Sequence, residues 1–196
     1  CISSAASDVY KRQDLDIPEG EGLVKIDLMP EVGFQTKAVD ENEYKDVNKY
    51  TVQVFKSGQE SNPVIEGLYG ELEAEYSLQV GQYVLKAFMG EEKPVSTDKL
   101  YFYGEQGFEV KEGKIVEAPV TCKPSSVRIN VVFDAKMDEY FSDYSLKIET
   151  EAQKPSSFEW KKDTVGPVYF KVGKQEEVRV TVNLTNKENV TAKGSV

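Results

Sequence analysis

The chain has 196 residues, enough for one large β-domain or two smaller ones, and 39% of them are hydrophobic. Its 34 acidic residues against 24 basic ones give a formal net charge of −10, a field that repels phosphate backbones and argues against nucleic acid as a partner. Histidine is absent and the only cysteines are Cys1 and Cys122, which excludes histidine-based triads, histidine-ligated zinc and a closed thiolate metal site.

Residues 1–21 read as a tether. Cys1 is followed by Ile2-Ser3-Ser4-Ala5-Ala6-Ser7, and no periodic apolar pattern precedes Pro18-Glu19-Gly20. A cysteine at the first position ahead of a small-residue tail has the form of a processed bacterial lipoprotein, with the acyl chains on Cys1. Lipid on that residue anchors a chain that has no apolar run near the roughly 20 residues needed to span a bilayer. The expected partner is therefore a bacterial membrane, held through the lipid on Cys1.

From Gly22 the dominant signal is period-two alternation, the pattern of half-buried strands. Strands are expected at Leu23–Leu28, Lys49–Phe55, Tyr76–Val80 and Tyr83–Phe88. Phe108-Glu109-Val110, a turn at Lys111–Lys114 and Ile115–Cys122 suggest a hairpin. After Lys123-Pro124 the pattern restarts at Val127–Phe133, Tyr144–Ile148, Val168–Val172 and Val178–Leu184. The one helical candidate is a single turn over Ala135–Phe141, too short to pack as a layer.

The two halves follow one plan. Val24–Leu28 corresponds to Val127–Val131, Tyr50–Val54 to Tyr144–Ile148, and Ser77–Gly81 to Tyr169–Gly173. This predicts an all-β fold of two tandem antiparallel sandwiches, residues 22–122 and 123–196, with the break where Pro124 interrupts pairing. Val24, Val52 and Leu78 should face one core, and Val127, Leu146 and Phe170 another. Residues 186–196 show no strong final strand, which would leave an edge open to a protein partner by strand addition.

Tyr101-Phe102-Tyr103-Gly104, Phe108-Glu109-Val110, Val120-Thr121-Cys122-Lys123, Val127–Phe133 and Phe141-Ser142-Asp143-Tyr144 occur in an order that resembles the fimbrillin-like lipoproteins of gut Bacteroidales, among them outer-membrane lipoproteins of unassigned function. The resemblance spans most of residues 22–185. It implies transthyretin-like Greek-key sandwiches in tandem, a lipid anchor in the outer membrane, at the cell surface or on the periplasmic face, and a role in adhesion or fimbria-like assembly. The acidic run that often follows the lipidated cysteine in exported members is reduced here to Asp8.

The chemical motifs favour structural readings. Ser96-Thr97-Asp98-Lys99 has the S-x-x-K spacing of penicillin-recognising enzymes, but it follows Pro94 in a loop and lacks their partner motifs. Asp40-Glu41-Asn42-Glu43 with Asp46 clusters oxygen ligands without the glycine of a calcium loop. Cys122 is in register with Val116, Ala118 and Val120, as a small buried residue would be. Asn183 and Asn189 head N-glycosylation patterns that carry little meaning in a bacterial envelope, whereas Asp163-Thr164-Val165 resembles the O-glycosylation site of this bacterial group, with Thr164 as acceptor.

No constellation calls for a cofactor, and the chain is expected to be non-enzymatic. Its ligand would be a host protein or a glycan. An adhesive or fimbria-like role leads, and the alternative is glycan binding within a nutrient-capture system. For the glycan reading, the rings to stack on sugar are Trp160, Tyr101 and Tyr103.

Overall fold

The computed structural model describes residues 17–33, 41–173 and 175–195. Cys1, most of the expected tether and Asp40 lie outside those residues. The strands are β1 (Glu21–Pro30), β2 (Thr51–Lys56), β3 (Ile65–Leu68), β4 (Tyr76–Gln79), β5 (Gly81–Met89), β6 (Val95–Ser96) and β7 (Phe102–Val110). They continue as β8 (Ile115–Pro124), β9 (Ser126–Ile129), β10 (Phe141–Glu149), β11 (Phe158–Lys161), β12 (Val168–Lys171), β13 (Arg179–Asn186) and β14 (Thr191–Ser195). Two helical turns, α1 (Glu41–Lys45) and α2 (Met137–Tyr140), complete the set apart from short 3₁₀ turns. The fold is all-β, as the alternation predicts.

The first seven-stranded sheet runs β3-β2-β5-β7-β8-β1-β4 and bends between β7 and β8. There only Phe102↔Pro124 and Tyr103↔Lys123 pair, so β3-β2-β5-β7 and β8-β1-β4 become the two faces of a sandwich. Val24, Leu28, Val120 and Cys122 from one face meet Val52, Leu85, Phe102 and Phe108 from the other. The Cys122 thiol lies 3.3 Å from the carbonyl oxygen of Ala87 on the opposite face. At the bend β7 and β8 approach so closely that a Cβ on Gly104 would stand 2.5 Å from the Thr121 carbonyl oxygen.

Two sequence expectations change here. Phe108–Val110 and Ile115–Cys122 are joined by the expected turn, yet they form no hairpin near it. Instead β1 enters beside β8 and pairs with it in parallel from Leu23↔Ile115 to Pro30↔Cys122. Leu23 N–H bonds the Lys114 carbonyl at 2.9 Å, capturing the hydrogen-bonding edge that a hairpin would have used. Second, residues 191–195 form a strand after all. It is held by backbone pairing to β13, from Thr181↔Ser195 to Thr185↔Thr191. Every residue of β14 is exposed, so it has no buried face and left no alternation to read.

The second unit packs β11-β10-β13-β14 against β6-β12-β9. Its core is Ile148, Trp160, Val168 and Phe170, with Val95, Val127, Leu146 and Phe158 packed against them. Val24 and Val52 lie in the first core and Leu78 packs on it, while Val127, Leu146 and Phe170 belong to the second. The expected strand at Val127–Phe133 stops at Ile129, and its later members Val131 and Phe133 pack on this core from a non-strand segment.

Two exchanges join the units. Strand β6, from the first half of the sequence, pairs with β12 through Val95↔Phe170 and Ser96↔Tyr169. Strand β12 is buried on both faces: Val168 and Phe170 enter the second core, and Tyr169 enters the first. A strand covered on both sides needs a continuous apolar run, and Val168-Tyr169-Phe170 supplies one.

Candidate functional site

A groove of about 650 Å³ opens along this seam, within the size range of small-molecule pockets. Its floor is the outer face of β2-β5-β7. In β5 the inward positions are Tyr83, Leu85, Ala87 and Met89, so period two turns Lys86 and Phe88 outward. Across the strands Gln53 stands opposite Lys86, Lys86 opposite Glu105, and Phe88 opposite Tyr103. Tyr101 precedes β7 and shares the outward side with Tyr103, two residues on.

The three rings form a continuous surface. Tyr101 and Tyr103 lie with centroids 6.1 Å apart and planes 25° apart, and Phe88 tilts against Tyr101 at 6.4 Å. The opposite wall comes from the second unit and the turn after β5: Lys171, Ser125 and Gly90-Glu91-Glu92. Gly90 has φ +89°, and a Cβ there would meet the Leu100 carbonyl oxygen at 2.9 Å, so this turn requires glycine.

Every formal charge in the lining has a partner. Lys86 reaches Glu60 at 3.1 Å and Glu105 at 3.9 Å, and its ammonium sits 5.2 Å from the Phe55 ring centroid. Lys171 pairs with Glu92, and Lys93 pairs with Glu91. Tyr103 donates its hydroxyl proton to Glu105, and Gln53 donates from Nε2 to Glu66 Oε1 at 2.6 Å. Burial, with the Glu92 charge behind it, pushes the Tyr101 phenol up to about 12. Burial, then the bond to Glu105, raises Tyr103 as well. The lining is thus aromatic, rich in fixed hydrogen-bonding groups and close to electrically neutral at pH 7.

Of the three rings considered from sequence, Tyr101 and Tyr103 come together here and Trp160 does not. Trp160 is 1% exposed, inside the second core and edge-on to Phe158 at 6.0 Å, so it cannot meet a ligand. The period-two pattern of β11 turns it inward against β12. Phe88 was legible as the outward member of an alternating strand but was missed. Lys171 had no such signal, because only the seam carries it to the groove.

The other singled-out residues serve the scaffold. The Ser96 hydroxyl oxygen accepts from Asp98 N at 3.2 Å, while Lys99 pairs with Glu43 at 2.5 Å. Asp46 caps the following 3₁₀ turn through Asn48 N at 3.2 Å and faces Lys49 at 3.6 Å. Among the described residues, the acidic segment's Glu43 and Asp46 are thus engaged by protein groups. Thr164 is half-buried in a turn, accepting from Lys161 N at 3.0 Å, between exposed Asp163 and Val165. Cys1, the lipid-attachment candidate, lies outside the described residues.

These features define an all-β, two-core protein with an aromatic groove at the junction. The chain belongs to the family called domain of unknown function DUF4493, whose model matches residues 20–196. No curated protein matches the sequence. Among solved structures it is similar to a putative adhesin from Bacteroides ovatus ATCC 8483, at 7% identity and TM-score 0.47, over 100% of this chain and 87% of that one. It is also similar to a DUF3823 family protein from Parabacteroides merdae ATCC 43184, at 14% identity and TM-score 0.28, over 92% of this chain and 97% of that one. At these scores neither likeness carries function to this chain. No described helix is long and apolar enough to cross a membrane.

Proposed function

We propose that this protein is a non-enzymatic surface adhesive domain pair, anchored to the outer membrane through a lipid on Cys1, that holds its ligand in the seam groove. The observation that carries the proposal is the lining of that groove. Three packed rings and paired charges are suited to contact, since preformed aromatic surface binds with little ordering cost. The same lining suits proton transfer poorly: its carboxylates are tied to lysines and its phenols are pushed away from neutrality.

A fimbria-like role through strand addition ranks lower for a physical reason. The outer edge of β14 is exposed along its length, but it carries Lys193 and Gly194 and no apolar face. A lysine on an edge strand discourages pairing, and an edge without an apolar face gives an added strand nothing to bury against.

The test is attachment. Host bacteria displaying the protein, compared with a strain lacking its gene, are assayed on immobilised matrix proteins and polysaccharides. Attachment should require the protein and should fall when Phe88→Arg places a bulky cation in the groove. Attachment unaffected by Phe88→Arg, or glycosidase or peptidase turnover that vanishes with one carboxylate or serine, would overturn the proposal.

A further inference from the structure

We infer that the seam groove is a binding site for an uncharged saccharide, whose sugar rings lie on Tyr101 and Tyr103 and whose hydroxyls are met by Gln53, Ser125 and the Lys171–Glu92 pair. The inference rests on the reading of this groove as the binding surface, and it names the class of ligand.

Three observations select that class. The floor is a sheet face, not an edge: the backbone groups of β2, β5 and β7 pair with one another, from Thr51↔Phe88 to Lys56↔Tyr83 and from Gly81↔Val110 to Met89↔Phe102. A peptide added as a strand would need free N–H and C=O groups, and this floor offers only side chains. Next, Tyr101 and Tyr103 present neighbouring rings with planes only 25° apart, backed by Phe88. A pyranose has an apolar face of C–H bonds that packs on such a ring while its equatorial hydroxyls point sideways. The sideways neighbours here are the Gln53 amide, the Ser125 side chain and the Lys171–Glu92 pair, which supply donors and acceptors together.

Charge decides between neutral and acidic sugars. An anionic ligand would be drawn by an unpaired cation, but Lys86 is held by Glu60 and Glu105, and Lys171 by Glu92. Within a protein of net charge −10, a groove with no free cation disfavours a carboxylate or sulfate ligand. A neutral polyol carries no such penalty.

The full chain is titrated calorimetrically with neutral hexasaccharides of glucose, mannose and xylose, and in a separate arm with oligogalacturonate. At least one neutral hexasaccharide should bind, and the uronate should bind more weakly or not at all. Tyr101→Ala and Tyr103→Ala should each weaken binding about tenfold or more, the worth of roughly one lost ring contact. Tyr103→Phe, which keeps the ring, should retain most of it. Tyr140→Ala, an exposed ring in the α2 turn, should change nothing. Glu92→Gln frees Lys171 and should move preference towards oligogalacturonate.

The inference is overturned if no neutral hexasaccharide binds, if the unaltered chain prefers the uronate, or if folded Tyr103→Ala binds as well as the parent. Should sugar binding be absent while Phe88→Arg still abolishes attachment to a protein-coated surface, the ligand class is wrong and the adhesive reading stands. Attachment indifferent to Phe88→Arg overturns the adhesive reading itself.

Discussion

Cys122 is wholly buried in the first core, and burial pushes its thiol up to about 12. The thiolate is the reactive form, so a thiol reagent at neutral pH should leave Cys122 unmodified in the folded chain and label it on denaturation. In a Cys1→Ser background, labelling at the native rate of an exposed thiol would contradict this burial. The tyrosines give a linked pH dependence. Burial raises Tyr44, Tyr50, Tyr83, Tyr101 and Tyr103 above the usual value of about 10. The neutral phenol is therefore favoured more in the folded chain than in the unfolded one. Their stabilising contribution is complete below the unfolded pKa and is lost as pH climbs through the folded values. Stability should be flat across neutral pH on their account and fall above pH about 10, with late tyrosinate absorbance marking the same groups. Gly166 makes a further residue-scale test. A Cβ there would lie 2.4 Å from Asn130 Oδ1 and 2.6 Å from the Trp160 ring, so Gly166→Ala should cost about 1–3 kcal/mol in denaturant unfolding.

Among the elements, β12 bears most on how the units cooperate. Its three buried side chains serve two cores, and β6 ties it back to the first half of the chain. Tyr169→Ala would leave a hole in the first core while sparing Val168 and Phe170 in the second. A loss of about 3 kcal/mol is expected, by analogy with large-to-small aromatic deletions. Calorimetry should show one melting transition in the parent and two in Tyr169→Ala, because the variant weakens the first core and its hold on β12 while the second core keeps Val168 and Phe170. A single transition lowered as a whole would mean that β6 alone couples the units. Strand β14 stands at the other extreme. With pairing on one edge and no buried side chain, its amides should exchange with solvent ahead of those in β5 and β7.

At the scale of the whole molecule, anchoring is the property to test. If the lipid on Cys1 holds the protein, Cys1→Ala expressed in the native host should move it from the outer-membrane fraction to soluble fractions; retention in the membrane would refute the anchor. The all-β class was legible because a strand with one wet face must alternate. Val24–Leu28, Val52–Val54 and Tyr83–Phe88 write that requirement directly into the sequence. The aromatic floor was partly legible for the same reason, since Tyr101 and Tyr103 lie two residues apart on one side of a strand. Period two says which side a residue takes, but not which strand lies beside it or what covers the outer face. The parallel seating of β1 on β8 and the crossing of Val95–Ser96 into the second unit therefore depended on long-range contacts. So did the arrival of Lys171 and Ser125 over the tyrosines. Edge hydrogen bonds and core volume settle such contacts only when distant segments compete for the same space, and that competition exists only in the folded chain.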